Sequence, residues 1–329
     1  MMKKIAVINE FSIEAIKDAL QKLDDFENLY VNGLGAYQLS EIEKIDASLF
    51  YEISEKIKSG RWNPCVGMWL ENDNEISDEN LSRNILYSSK YFSEKFGTDY
   101  HVLYSRKIYN NNFPQLVFKG RFDSAVVESE KEIYWLDGID TSRILVLGGL
   151  ETVDVNDIDD EFITSNEFTT YEELSRDIYS SPLDVKSVKL GKNTVAEIET
   201  ENKVLLAEKI STLNNEDKTE AIENCWKMIF GGEYESAEKE ADEIIGGRTF
   251  DDNFIKIDDS EIQLVCYKFC DDGSGDRFFR IRENNGKAKT LQIVCNEIEL
   301  GIRCEIIPYE TQNFRVDKDG FVKETFIQE

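Results

Sequence analysis

The sequence predicts an α/β plus β fold: a reduced (β/α) barrel-like N-terminal domain, a helical pair or bundle, and a small C-terminal antiparallel β domain. Three observations carry this prediction. Short apolar runs alternate with amphipathic helical stretches over the first half of the chain, the pattern of βαβ units. Two long stretches of helical periodicity follow, and from Phe254 onward the apolar period changes to two. The boundaries that these changes draw are 1–180, 181–250 and 251–329, the last of them sandwich-like.

In chain order, Ile5 to Ile8 is a strand, and Ser12 precedes Ile13, Ile16, Ala19, Leu20 and Leu23 at helical spacing. Phe26 to Val31 reads as a second strand, and Tyr37 to Lys58 as one or two amphipathic helices. A third strand covers Asn63 to Leu70, and a helix covers Asp78 to Phe96. Further strands are expected at Tyr100 to Leu103, Ser124 to Val127 and Arg143 to Leu147, with a helix-like stretch at Pro114 to Lys119. The acidic run Asp154 to Glu161 reads as a solvated loop. Asn193 to Leu213 and Lys218 to Ile245 read as two long antiparallel helices, with a break at Gly231-Gly232 and a stop at Gly246-Gly247. Beyond them Ile262, Leu264 and Cys266 alternate with Gln263, Val265 and Tyr267, and Arg277 to Arg282, Thr290 to Cys295 and Ile302 to Ile307 read as further strands. The turn Asp271 to Asp276 is rich enough in acids to suggest calcium, but a hairpin turn accounts for it.

With 66 Asp and Glu against 38 Lys and Arg, the net charge of -28 repels polyanions, which excludes nucleic acid and anionic lipid as partners. No run approaches the roughly 18 apolar residues of a membrane span, and residues 1–10 lack a signal-peptide pattern, so a cytoplasmic location is expected. Six cysteines without a secretion signal favour reduced thiols. Cys266 and Cys270 are four apart and Cys295 and Cys304 nine apart, spacings that match neither common zinc pattern.

The segment Gly60-Arg61-Trp62-Asn63-Pro64-Cys65-Val66-Gly67-Met68-Trp69-Leu70-Glu71-Asn72-Asp73 resembles the Gly-Arg-Trp-x-Pro-x-Gly-Gly-x-Trp-Val-Glu-x-Asp segment of the family-38 α-mannosidases. Ala36-Tyr37-Gln38-Leu39, Glu79-Asn80-Leu81-Ser82-Arg83, Ile85-Leu86-Tyr87, Pro114-Gln115-Leu116 and Trp135 to Leu145 are similar to further family segments in family order. The helices at Glu201 to Leu213 and Ala221 to Ile229 look like its three-helix region, and Ile306 to Arg315 like its terminal strand. The likeness covers most of this chain, which lacks the large central β-sandwich of full-length members.

The resemblance implies a retaining hydrolase with a carboxylate nucleophile, a second carboxyl as acid/base, and zinc held by His and Asp. This chain departs from that pattern at each position. Ile5 to Phe11 has no His-x-Asp, Leu103 to Ile108 puts Ser105 where the family has its nucleophilic Asp, and Phe230 to Tyr234 has no histidine. His101 is the only histidine, and one imidazole cannot supply the two of that zinc site. No catalytic residue, no metal ligand and no cofactor is therefore assigned.

The candidate ligand-binding residues are Trp62, Trp69, Glu71, Asp73 and Asn74, at the end of a strand where barrel sites form. Indole would stack on a sugar face while Asp73 and Asn74 bond its hydroxyls; the alternative is that the tryptophans are core and the acids cap the helix near Asp78. Tyr104-Ser105-Arg106-Lys107 suggests an anion site or a surface ion pair, and Asp137 and Asp140 read as a turn. The function expected is that of a non-catalytic family-38-like protein with a carbohydrate-binding or accessory role and a mannose-type ligand. Two alternatives stand beside it: a glycosidase with a rebuilt, metal-free site, and an interaction scaffold without a sugar.

Overall fold

Ile5 and Val7 of the first strand face one way and Ala6 and Ile8 the other, and all four are buried, as in a parallel sheet covered on both sides. The computed structural model describes residues 3–9, 11–71, 76–188, 199–250, 255–295 and 300–327. The first part runs β1 (Ile5–Val7), α1 (Ile13–Asp25), β2 (Val31–Asn32), α2 (Ala36–Ile45), α3 (Ala47–Lys58), β3 (Trp62–Asn63), α4 (Asp78–Phe96), β4 (Val102–Ser105), α5 (Phe113–Lys119) and β5 (Ser124–Val127). It continues with β6 (Ile133–Asp137), β7 (Arg143–Leu147), β8 (Thr152–Asp154), α6 (Asp160–Ser165), α7 (Tyr171–Ile178) and β9 (Val185–Ser187).

Strands β3-β2-β1-β8 form one parallel sheet. A second sheet has the order β4-β5-β7-β6-β9, parallel except for the β6–β7 hairpin. A parallel bridge from Gly67, beyond β3, to Tyr104 of β4 joins the two. Between them lies a layer of Ile5, Val7, Val102, Val126, Leu145 and Leu147, closed from below by Tyr171, Leu174 and Ile178 of α7. The outer faces, Ala6, Val31, Leu103, Ala125 and Val146 among them, pack on α1 to α5.

Three helices follow, α8 (Glu199–Leu213), α9 (Thr219–Phe230) and α10 (Tyr234–Ile245). The C-terminal strands are β10 (Ile255–Ile257), β11 (Ile262–Phe269), β12 (Arg277–Glu283), β13 (Lys289–Cys295), β14 (Leu300–Ile306), β15 (Thr311–Val316) and β16 (Val322–Glu324). They form antiparallel sheets β10-β13-β14 and β11-β12-β15-β16, with Tyr267, Phe279, Ile281, Leu291, Ile293 and Phe314 packed in the core between them. Among the described residues no helix is long and apolar enough to cross a membrane.

Several expectations shift. The second strand shrinks to Val31–Asn32, because Phe26 to Leu29 turns at the end of α1, with Phe26 N donating to Lys22 O and Leu29 N to Phe26 O, and the third shrinks to Trp62–Asn63, because the chain beyond it bends through Gly67. Tyr37 to Lys58 is two helices, divided at Asp46, whose side chain accepts from Leu49 N and caps α3. The acidic run 154–161 is not a loop: Asp154 ends β8, Asp159 caps α6, and Val155 between them is fully buried. Asp154 and Asp159 serve as caps, accepting from Asn156 N and Phe162 N. The two long helices are three, since Gly231 and Gly232 end α9 and α10 restarts at Tyr234; residues 193–198 lie outside the described residues. A bulge between Leu264 and Cys266 interrupts the expected alternation, so Ile262 faces the inter-sheet core and Cys266 the helices.

Candidate functional site

The C-terminal ends of β1 to β5 open on a cavity of about 650 Å³ lined by Asn9, Tyr37, Glu71, Tyr104, Arg106 and Glu128. A second lobe of about 350 Å³ shares Asn9, Tyr104 and Glu128 and reaches Lys131 and Tyr171. Two close approaches shape this space. Gly33 has φ +145°, and a Cβ there would stand 2.5 Å from Ile8 Cγ2; Gly67 has φ +143°, and a Cβ would stand 2.6 Å from Leu103 Cγ. Only glycine lets the chain turn in at these points and lay the segment ending in Glu71 beside β4. The floor is tied by Asn32, whose Nδ2 donates to Ala6 O and Thr169 O and whose Oδ1 accepts from Tyr171 N.

Glu71 is the most perturbed carboxyl of this site. Tyr109 Oη donates to its Oε2 at 2.6 Å and Arg106 N at 3.3 Å, while the buried Oε1 has no hydrogen-bond partner among the described residues. Burial pushes its acid dissociation up to about 7, opposed by Tyr109, the Arg106 N–H and the Arg106 charge, and assisted by Glu128. Glu128 stands one residue past β5 and is exposed; it accepts a short hydrogen bond from Tyr104 Oη, and its N–H donates to Ser105 O at 3.1 Å. Burial, with the nearby Cys65 and Glu128, holds the Tyr104 phenol far above its ordinary value, so it stays a donor. Burial also drives the Cys65 thiol far up, with Glu128 and Glu71 adding to the effect, which leaves it a poor nucleophile.

The tryptophans turn out to be packing groups first. Trp62 is 1% exposed and donates its Nε1–H to Gly33 O at 2.9 Å; it does not line the cavity and offers a ligand no face. Trp69 borders the cavity, but it is 7% exposed, sits edge-on to Tyr91 at 5.8 Å and carries Lys227 Nζ 4.2 Å over its ring. Glu71 is in place, and Asp73 and Asn74 lie outside the described residues. The exposed rings at the mouth are Phe11 and Tyr37, neither of them singled out from the sequence as a ligand group.

The segments that the resemblance sets against the family's nucleophile and last metal ligand, and the lone histidine, offer no zinc site here. Ser105 is fully buried and donates to Lys107 O at 2.9 Å. Phe230 packs on Tyr87 and Trp226 in the helical core, and His101 stands just before β4, at the end away from the cavity. No group of three or more His, Cys, Asp or Glu among the described residues is placed to hold a metal ion. The acidic turn at 271–276 is neutralised instead, with Arg315 paired to Asp272 and Asp276.

Residues 16–128 match the sequence model of the Glycosyl hydrolases family 38 N-terminal domain. The chain resembles glycoside hydrolase family 38. Its fold is similar to that of a family-38 glycosyl hydrolase from Enterococcus faecalis, with a TM-score of 0.56 and 13% identity over 89% of this chain and 44% of the other. An α-mannosidase from Enterococcus faecalis V583 superposes with a TM-score of 0.58 and 11% identity over 88% of this chain and 46% of that one. A 4-α-glucanotransferase from Thermococcus litoralis gives 0.50 and 12%, over 91% and 66%. This family-38-like chain thus spans less than half the length of either Enterococcus protein. No curated protein matches the sequence.

Proposed function

We propose that the protein binds carbohydrate in the cavity at the strand ends of a reduced family-38-like barrel, and that it does so without the zinc-dependent mannosidase machinery of that family. The single observation that supports this reading is the composition of the 650 Å³ cavity: exposed Phe11 and Tyr37 at the mouth, with Glu71, Arg106 and Glu128 within. Apolar sugar faces stack on aromatic rings, and hydroxyls need a few fixed donors and acceptors. A mannose-type sugar is the first ligand to test, because the α-mannosidase from Enterococcus faecalis V583 shares the fold. The cytoplasmic setting argued from the sequence is part of the same proposal.

Calorimetric titration with mannose and mannobiose, and with glucose and maltose for comparison, tests it. Saturable binding is expected, weakened at least about tenfold by Tyr37→Ala, as loss of a stacking ring of roughly 1.5 kcal/mol implies, and unchanged in Trp62→Phe. Absence of heat with every sugar, in protein whose circular dichroism is native, overturns the reading and leaves an interaction scaffold.

A further inference from the structure

We infer that the inner lobe of the cavity, of about 350 Å³, receives an ammonium group, so that the sugar taken there is an amino sugar; the inference rests on carbohydrate occupying the cavity. Charge is the first observation. Elsewhere in this chain the acids of the interior meet cations, as Glu79 and Glu208 meet Arg83 and Glu223 meets Lys90. Glu128 and Glu130, both lining the inner lobe, are held by phenols instead, Glu128 by Tyr104 and Glu130 by Tyr134 at 2.8 Å. Among the described residues neither carboxylate has a cation partner, and the second oxygen of Glu128 meets no donor. Lys131 is exposed on the same lobe and makes no ion pair among the described residues, so two carboxylates stand there against one cation.

The second observation is independent of charge. Tyr171 is only 5% exposed and lines the lobe; its N–H is taken by Asn32 Oδ1, and its Oη has no hydrogen-bond partner among the described residues. Unlike Oε1 of Glu71, this oxygen is not sealed from the cavity. A polar atom that is open and unmet on an otherwise buried side chain is a place for a ligand atom. The Tyr171 ring stands 6.1 Å from that of Tyr104, at an interplanar angle of 32°, so two neighbouring π-systems belong to the same wall. Burial keeps both phenols protonated, and Tyr171 Oη therefore accepts from one ligand group while its hydrogen serves a sugar hydroxyl. An ammonium brings three donors and no acceptor. The open oxygen of Glu128 and the Oη of Tyr171 take two of them, the first as a charge-assisted bond, and the rings of Tyr104 and Tyr171 add cation–π attraction. A hydroxyl in that place gains neither charge term, and an anionic group meets the repulsion of Glu128 and Glu130.

Calorimetry on the full chain at pH 6 tests it, comparing glucosamine and mannosamine with glucose, mannose and the two N-acetyl derivatives, which lack the charge. The amino sugars should bind at least about tenfold more tightly than either uncharged set, and added salt should narrow the gap. Glu128→Gln, which keeps an acceptor for Tyr104, should bring that ratio to within about twofold of one, whereas Glu235→Gln, the same change of charge at an exposed position of α10, should leave it unaltered. Tyr171→Phe, with the ring retained, should weaken amino-sugar binding by about three- to tenfold. Neutral sugars that bind as tightly as amino sugars overturn the inference and leave the carbohydrate reading standing. A preference that survives Glu128→Gln, or that Glu235→Gln removes equally, also refutes it, since the attraction then belongs to the acidic surface as a whole. Ethanolamine, an ammonium and a hydroxyl without a sugar ring, is the remaining arm: heat from ethanolamine with none from any sugar overturns the amino-sugar assignment and the carbohydrate reading together, as does absence of heat throughout.

Discussion

Replacing Glu79 by Gln tests whether charge, rather than shape, locks α4 against the C-terminal strands. Glu79 is buried between Arg83, which donates Nε–H to its Oε1 at 2.6 Å, and Arg280, which donates to Oε2 through a short bond. Arg83 also makes a bidentate pair with Glu208, both contacts at 2.8 Å, and Arg280 reaches Asn313 Oδ1 at 2.7 Å. Burial alone would raise the acid dissociation of Glu79, but Arg280 and Arg83 outweigh it and hold it at about 2 against an ordinary 4.5. At about 1.4 kcal/mol per pH unit that depression corresponds to roughly 3 kcal/mol. Removing one member of a buried pair independently suggests about 3–5 kcal/mol. Because the folded value is depressed, this stability is complete above about 4.5 and is lost as pH falls toward 2. Urea unfolding followed by tryptophan fluorescence, to which Trp226 with its ring 5.3 Å beneath Arg83 contributes, should show Glu79→Gln less stable by roughly 3 kcal/mol at pH 7. The gap to wild type should close as the pH is lowered. A loss below about 1 kcal/mol, or a gap constant through the acid range, refutes the argument.

Two further predictions concern the cavity walls. Gly67→Ala should destabilise the protein by roughly 2–4 kcal/mol in the same unfolding assay, since its Cβ meets Leu103 and Tyr104 at a φ that L-residues rarely adopt; Gly60→Ala, with open space around it, should cost about 1 kcal/mol. Equal losses at the two positions would contradict the close approach. Iodoacetamide at pH 8 should modify Cys65 in the native protein at least about 100-fold more slowly than a cysteine in a short peptide, and peptide mapping that finds Cys65 labelled at the free rate would sink the reading of a suppressed thiolate.

Where a boundary has local chemistry, the sequence locates it. The helix expected at Asp78 to Phe96 is found at those residues, because Ser77 caps one end and Gly97 takes the left-handed conformation at the other. Strands β5 and β7 also match, being apolar runs bounded by turn residues. The site is less legible. Glu71 was visible through its place after an apolar segment, but Tyr104 and Glu128 meet only through the register that sets Ser105 beside Val127, and no period in the sequence encodes that pairing. The one available signal was that Glu128 directly follows a buried apolar strand, the place where sites of parallel folds collect. Phe11 gave no signal beyond being aromatic and Tyr37 only its place in the Ala36 to Leu39 likeness, because exposure at the mouth depends on how α2 and the chain after β1 are laid across the strand ends.

The residues that carry the likeness to family 38 are chiefly packing residues, so the likeness reports on the frame. Arg61 donates to the carbonyls of Leu23, Phe26 and Leu29, tying the end of α1 to the entry of β3. Trp62 fixes the turn at Gly33, and Glu79 and Arg83 bind α4 to α8 and β12. Gln115 donates to Asp140, which accepts in turn from Ser142, so two distant segments of the likeness touch one another. Each of these groups is held by several partners inside the fold, and changing one would leave buried donors or charges unmet. Exposed side chains at the strand ends, Tyr37 and Glu128 among them, are under less constraint of this kind. Sequence likeness of this kind therefore transmits the architecture faithfully, while the function has to be argued from Glu71, Tyr104, Glu128 and the rings around them.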